Sequence, residues 1–144
     1  MSLFAALSVG ASGMSAQRVR AEALTENLAN SETTRTPDGG PYRRKDVVFQ
    51  SAPVGSPFSS VFDTQMQSVG GVQVADVVTD TSAPEMRYMP GHPDANSEGY
   101  VAYPHMNPAE DMVDLMGAAR NYEANVAAMN AVKDMIQKSI DLLH

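Results

Sequence analysis

The residues best placed to do chemistry lie in the loop 90–99, Pro-Gly-His-Pro-Asp-Ala-Asn-Ser-Glu-Gly. Asp94, Asn96, Glu98 and Gly99 match the first half of a calcium loop, in which alternate oxygen-bearing side chains face one cation and a glycine makes the sharp turn. The twelfth position, where such a loop places a bidentate glutamate, is His105, and Pro104 and Pro108 keep the exit extended. A rigid turn built from Pro, Gly and Asx residues is the simpler expectation. His92, His105 and His144 share no metal-ligand spacing, and no H-E-x-x-H, G-x-S-x-G, phosphate-binding or dinucleotide-binding glycine motif occurs. The chain has no cysteine, which excludes disulfides, thiolate nucleophiles and thiolate metal sites together. Glu110 and Asp111 pair two carboxylates, but in the first turn of a predicted helix, where the helix dipole alone favours acids. The sequence therefore predicts no catalytic residue, no metal and no cofactor.

One charged cluster stands out. Arg43-Arg44-Lys45 lies in a predicted strand or extended arm over Tyr42–Phe49, in a chain whose net charge is −7. The triplet reads either as a solvated edge that discourages unwanted strand pairing or as a contact for a partner's acids. The acidity of the whole argues against a general nucleic-acid or anionic-membrane binder, since both demand concentrated positive charge.

Two long helices must position everything else. In residues 107–144 one seam reads Met112, Leu115, Ala119, Tyr122, Val126, Met129, Lys133, Ile136, Ile140 and Leu143, stepping three and four in strict alternation. That is a coiled-coil heptad pattern, broken only by Lys133. Asn107 is the expected N-cap, Pro108 suits the first helical position and Glu110 the capping box, so the helix is predicted from about residue 108, roughly 50 Å long at 1.5 Å per residue. Leu3, Leu7, Gly10, Met14, Gln17, Ala21, Leu24 and Leu28 form a second heptad seam. Gly10 and Gly13 each cost about 1 kcal/mol in a helix interior, so this helix is marginal before residue 16 and requires a partner.

Between the helices the sequence turns irregular and β-rich. Residues 30–41 read as a connector of turn formers, 51–60 as loose and Pro/Gly-bearing, and 69–81, 85–89 and 99–103 as short strands. Such a middle cannot bury a large core of its own and must lean on the helices or on other molecules. The expected class is α+β: an N-terminal assembly helix (1–33), a linker and β-rich middle (34–106) and a C-terminal assembly helix (107–144), the two helices pairing as a coiled coil. Four of the ten methionines, Met112, Met116, Met129 and Met135, lie on or beside the last seam, as core or as an adaptable interface. Residues 1–13 carry no Lys or Arg, so they lack the charged region of a secretory signal peptide, and the apolar run 3–7 is far too short to span a bilayer.

Several blocks resemble one family, the axial proteins of the bacterial flagellar rod. Ser12-Gly13-Met14-Ser15-Ala16-Gln17 followed by Asn27-Leu28-Ala29-Asn30 is similar to its N-terminal signature. The stretch 35–45, Arg-Thr-Pro-Asp-Gly-Gly-Pro-Tyr-Arg-Arg-Lys, resembles the variant found in the proximal rod. So do residues 90–96 with Gly99-Tyr100-Val101, and Arg120-Asn121-Tyr122-Glu123-Ala124-Asn125-Val126 in the last helix. His105-Met106 departs from the family, which more often has Asn and an aliphatic residue there. The resemblance implies a structural protein of the flagellar basal body, not an enzyme, exported unfolded by the flagellar type III apparatus without a cleaved signal peptide. It implies co-assembly with copies of itself and with other rod proteins (FlgB, FlgF, FlgG, FliE) into a helical drive shaft that transmits torque and encloses the export channel. No nucleic acid and no direct membrane insertion are implied. The assembly interface expected on this reading comprises Leu3, Leu7, Met14, Ala21, Leu24 and Leu28, the triplet Arg43, Arg44 and Lys45, and Met112, Leu115, Tyr122, Val126, Met129, Ile136, Ile140 and Leu143. The competing class is a soluble interaction module, a closed helical hairpin with a degenerate calcium-type loop at 94–99.

Overall fold

The structure, a computed structural model, describes residues 3–53 and 70–142. Two long helices, α1 (Leu3–Ala29) and α2 (Pro108–Asp141), enclose four strands in sequence: β1 (Lys45–Pro53), β2 (Gly70–Thr79), β3 (Glu85–Tyr88) and β4 (Tyr100–Tyr103). This is the expected α+β class. Leu143 and the part of the expected loose connector from residue 54 onward lie outside the described residues.

α2 starts where its sequence says it should. Asn107 is extended (φ −112°, ψ 104°) and its side chain accepts from the Ala109 amide, with Pro108 at the first helical position and Glu110 and Asp111 in the first turn. α1 is continuous from Leu3 despite Gly10 and Gly13. Its support comes from within the chain. A Cβ on Gly10 would meet Met129 Cγ at 2.9 Å, and one on Gly13 would meet Asn125 Nδ2 at 3.0 Å. Arg20 reaches Asp114 at 3.9 Å. Ascending numbers on α1 meet descending numbers on α2, so the helices are antiparallel, and the glycines let them approach closely.

β1 and β2 form an antiparallel ribbon with Lys45 opposite Thr79 and Pro53 opposite Gly70; a bulge between Val48 and Phe49 leaves Ala75 without a counterpart. Ser51, Ala52 and Pro53, expected to be loose, continue this ribbon. The reason is on the facing strand: Gly70 and Gly71 offer backbone without side chains, and a Cβ at Gly70 would strike Ser51 Oγ at 2.8 Å. α1 packs on the ribbon with one side and on α2 with another, so it forms the middle layer. β3 and β4 make a separate antiparallel hairpin, Glu85 opposite Tyr103 and Tyr88 opposite Tyr100. Among the described residues the buried apolar side chains are Ala16, Ala23, Leu24, Tyr42, Val101, Pro104 and Ala118, four of them on the helices and three of those alanine. The core is thin, and two buried polar side chains, Asn27 and Asp111, sit within it.

Candidate assembly interface

The inward face of α2 has two rows. Leu115, Met129 and Ile136 are half-buried on one, with Tyr122 exposed at its middle; the other is Asp111 and Ala118, both buried, then Asn125 and Val132, half-buried. The first row belongs to the seam read from sequence. The second is displaced by one residue from the row Met112, Ala119, Val126, Lys133 and Ile140. Of those, Val126 is half-buried on the flank, while Met112 is 55% and Ile140 48% exposed, and Ala119 and Lys133 are exposed as well. Lys133 is therefore no break in the seam, since Val132 holds the inward position. On α1, Leu24 is buried, Leu7, Met14, Ala21 and Leu28 are half-buried, and Leu3 is exposed.

The basic triplet is bound largely within the chain. Arg44 donates from Nε to Oδ1 of Asp111 at 3.1 Å, its Nη2 forms an ion pair with the same oxygen at 2.9 Å, the Asp111 side chain is 2% exposed, and Nη2 lies 3.5 Å from Asp46. Oδ2 of Asp111 is buried and accepts no hydrogen bond. Burial works against the Arg44 charge, but Asp111, then Asp46, more than offset it and hold the guanidinium above its ordinary pKa. Lys45 pairs with Glu26, and only Arg43 is exposed, its Nη1 donating to the Asp80 carbonyl.

Beside this pair lies a joint that the heptad reading missed. Asn27 is fully buried near the end of α1. Its Nδ2 donates to the Lys45 carbonyl and its Oδ1 accepts from the Lys45 amide, each at 2.9 Å, so the carboxamide pairs with β1 as a neighbouring peptide unit would. The same Oδ1 accepts from the Tyr42 hydroxyl at 3.0 Å. Burial, followed by the charge of Glu26, pushes the Tyr42 phenol up to about 12. The signal for Asn27 was available: a carboxamide one position before Leu28, on the side of α1 that the apolar seam leaves unassigned.

The loop 90–99 uses its oxygens internally. Asp94 Oδ2 accepts from Thr34 Oγ1 at 2.8 Å and Oδ1 faces Arg35 at 3.7 Å. Asn96 Oδ1 accepts from the amides of Glu98 and Tyr100, and Gly99 turns the chain at φ +83°, where a Cβ would meet Tyr88 at 2.9 Å. Among the described residues no three His, Asp or Glu side chains converge to hold a metal ion, and no helix is long and apolar enough to cross a membrane. What the molecule presents outward is apolar: Met112, Val113 and Met116 on α2, Val48, Val77 and Val78 on the ribbon, and Met86 and Tyr88 on the hairpin. Such surface is the raw material of a docking face.

Two family models match the chain: flagella basal body rod protein over residues 7–35, and flagellar basal body rod FlgEFG protein C-terminal over residues 97–142. The chain is 45% identical to the flagellar basal-body rod protein FlgC of Bacillus subtilis, with 99% of each chain covered. It is 40% identical to that of Borreliella burgdorferi, again over 99% of both. To that of Escherichia coli O6:H1 it is 38% identical, covering 99% of this chain and 98% of the relative.

Proposed function

The chain belongs to the FlgC family of flagellar basal-body rod proteins and is a structural subunit of the rod, not an enzyme, and from that premise we propose how it is built in. The subunit associates with copies of itself and with other rod components in the basal body, to which the flagellar type III apparatus delivers it unfolded. Its contacts are heterologous and do not close on a single pair, so repetition generates a helical tube. That tube carries torque as shear over many small contacts and encloses the channel for later subunits. The units 1–33 and 107–144 serve as the assembly helices and 34–106 braces neighbours.

The observation that supports this docking mode is the apolar row left outward on α2, with Met112 and Ile140 about half exposed. We place Leu3, Met112, Tyr122, Ile140 and the exposed Arg43 at contacts between subunits. Leu24, Leu115, Met129 and Ile136 hold the subunit together, and Arg44 and Lys45 brace its joint. The test is a chain with Met112→Asp and Ile140→Asp. Each surface change should alter monomer stability by no more than about 0.5 kcal/mol. Cells with this chain as their only copy should fail to swim and yield basal bodies without a completed rod. Normal swimming would refute the docking mode.

A further inference from the structure

α2 carries two alternative inward rows on either side of Leu115, Tyr122, Met129 and Ile136, and hydrophobicity favours the one that is not used. Met112, Ala119, Val126, Lys133 and Ile140 offer three large apolar groups, whereas Asp111, Ala118, Asn125 and Val132 offer one, together with a carboxylate and a carboxamide. Exchanging one row for the other needs only a roll of α2 by about 50°, half of the roughly 100° per residue of an α-helix. Packing does little to prevent it in the first half of α1, where Gly10 and Gly13 meet Met129 and Asn125 and supply no knobs to index the helix.

We infer that the Arg44–Asp111 pair is the rotational selector of α2: it holds the less apolar row against α1 and so keeps the Met112 row outward. Arg44 is fixed on the segment leading into β1, next to the Asn27–Lys45 pairing, so its guanidinium is a stationary anchor. Asp111 accepts from its Nε at 3.1 Å and pairs with its Nη2 at 2.9 Å while 2% exposed, and a roll would break both contacts. Asp114, one turn on, faces Arg20 at 3.9 Å on the same side. The unpartnered Oδ2 of Asp111 indicates that the arrangement is costly and is retained for orientation, a use well attested for buried polar groups in helix pairs. Arg44 and Asp111 are thus positioning residues. Their consequence for assembly rests on the docking mode proposed above, because the row they keep outward is the one offered to neighbours.

The chain has no cysteine, so engineered pairs are its only thiols. Gly13→Cys with Asn125→Cys should form a disulfide readily in the isolated monomer on mild oxidation, and Gly13→Cys with Val126→Cys poorly. Adding Arg44→Met, or separately Asp111→Ala, should reverse that order, making the 13–126 product dominant. Arg44→Lys should preserve the original order. Circular dichroism establishes that each variant remains helical. Retention of the 13–125 product in a folded Arg44→Met or Asp111→Ala chain would overturn the inference. So would unfolding of both variants, since the pair would then support the fold as a whole and not the rotation of one helix. The cross-links are read without assembly, so a reversed order accompanied by normal swimming would keep the selector and count against the docking mode alone.

Discussion

Asn27 shows how one side chain can do the work of a strand. Its carboxamide, itself fully buried, satisfies the Lys45 amide and carbonyl, and the Tyr42 hydroxyl besides. Asn27→Ala removes the partner of all three polar groups, and the expected loss is about 2–4 kcal/mol in urea unfolding. A loss below about 0.5 kcal/mol, the size of an ordinary surface change, would mean that the joint is not closed. Tyr42 makes a second prediction at this scale. The folded state holds its phenol at about 12, above the ordinary value of 10. A raised pKa means that the neutral form is the one favoured by folding, so this stabilisation is complete below pH 10 and is lost as pH rises from 10 to 12. The stability difference between the wild-type chain and Tyr42→Phe should therefore shrink across that window. A difference that stays constant from pH 9 to 12 would contradict the assignment.

At the scale of elements, the helices were legible and their rotation was not. The cap Asn107-Pro108 and the acids of the first turn are local signals and reappear in the structure at their expected places; of the three-four steps of α2, the row Leu115, Met129 and Ile136 turns inward and the row Met112, Ala119, Lys133 and Ile140 does not. Which of two rows turns inward is not local. It depends on Arg44, far away in the chain, and on glycines in α1 whose role is visible only once Met129 and Asn125 lie against them. The same holds for β1, which runs through Pro53 because Gly70 and Gly71 leave room for it. Two consequences are measurable. Leu24→Ala removes a side chain that is 4% exposed, and should cost about 2–5 kcal/mol. Ile136→Ala acts on a half-buried one and should cost clearly less, so equal losses would show that the distal helix contact is tighter than described. Gly13→Leu forces a bulky group into the Asn125 contact, with an expected penalty of about 1–3 kcal/mol and reduced helicity by circular dichroism.

For the molecule as a whole, the layering of ribbon, α1 and α2 concentrates stability at one place. The buried groups Leu24, Asn27, Tyr42 and Asp111 cluster where the end of α1, the start of β1 and the start of α2 meet. Hydrogen exchange should be slowest there, at Leu24 and Asn27 and in the second turn of α2, and faster in the first turns of α1, where no residue before Ala16 is buried among those described. Uniform protection along α1 would rule this gradient out. The antiparallel helix pair has a further consequence, in time. Gly10 lies against Met129, a contact spanning about 120 residues of chain, and such distant contacts delay folding. During synthesis α1 emerges first, yet the surface that completes it emerges last. At a typical pace of about 5–20 residues per second the nascent chain spends several seconds with its leading helix unfinished. A chain whose first segment waits for its last stays threadable for as long as it is being made, the state that the delivery proposed above would require.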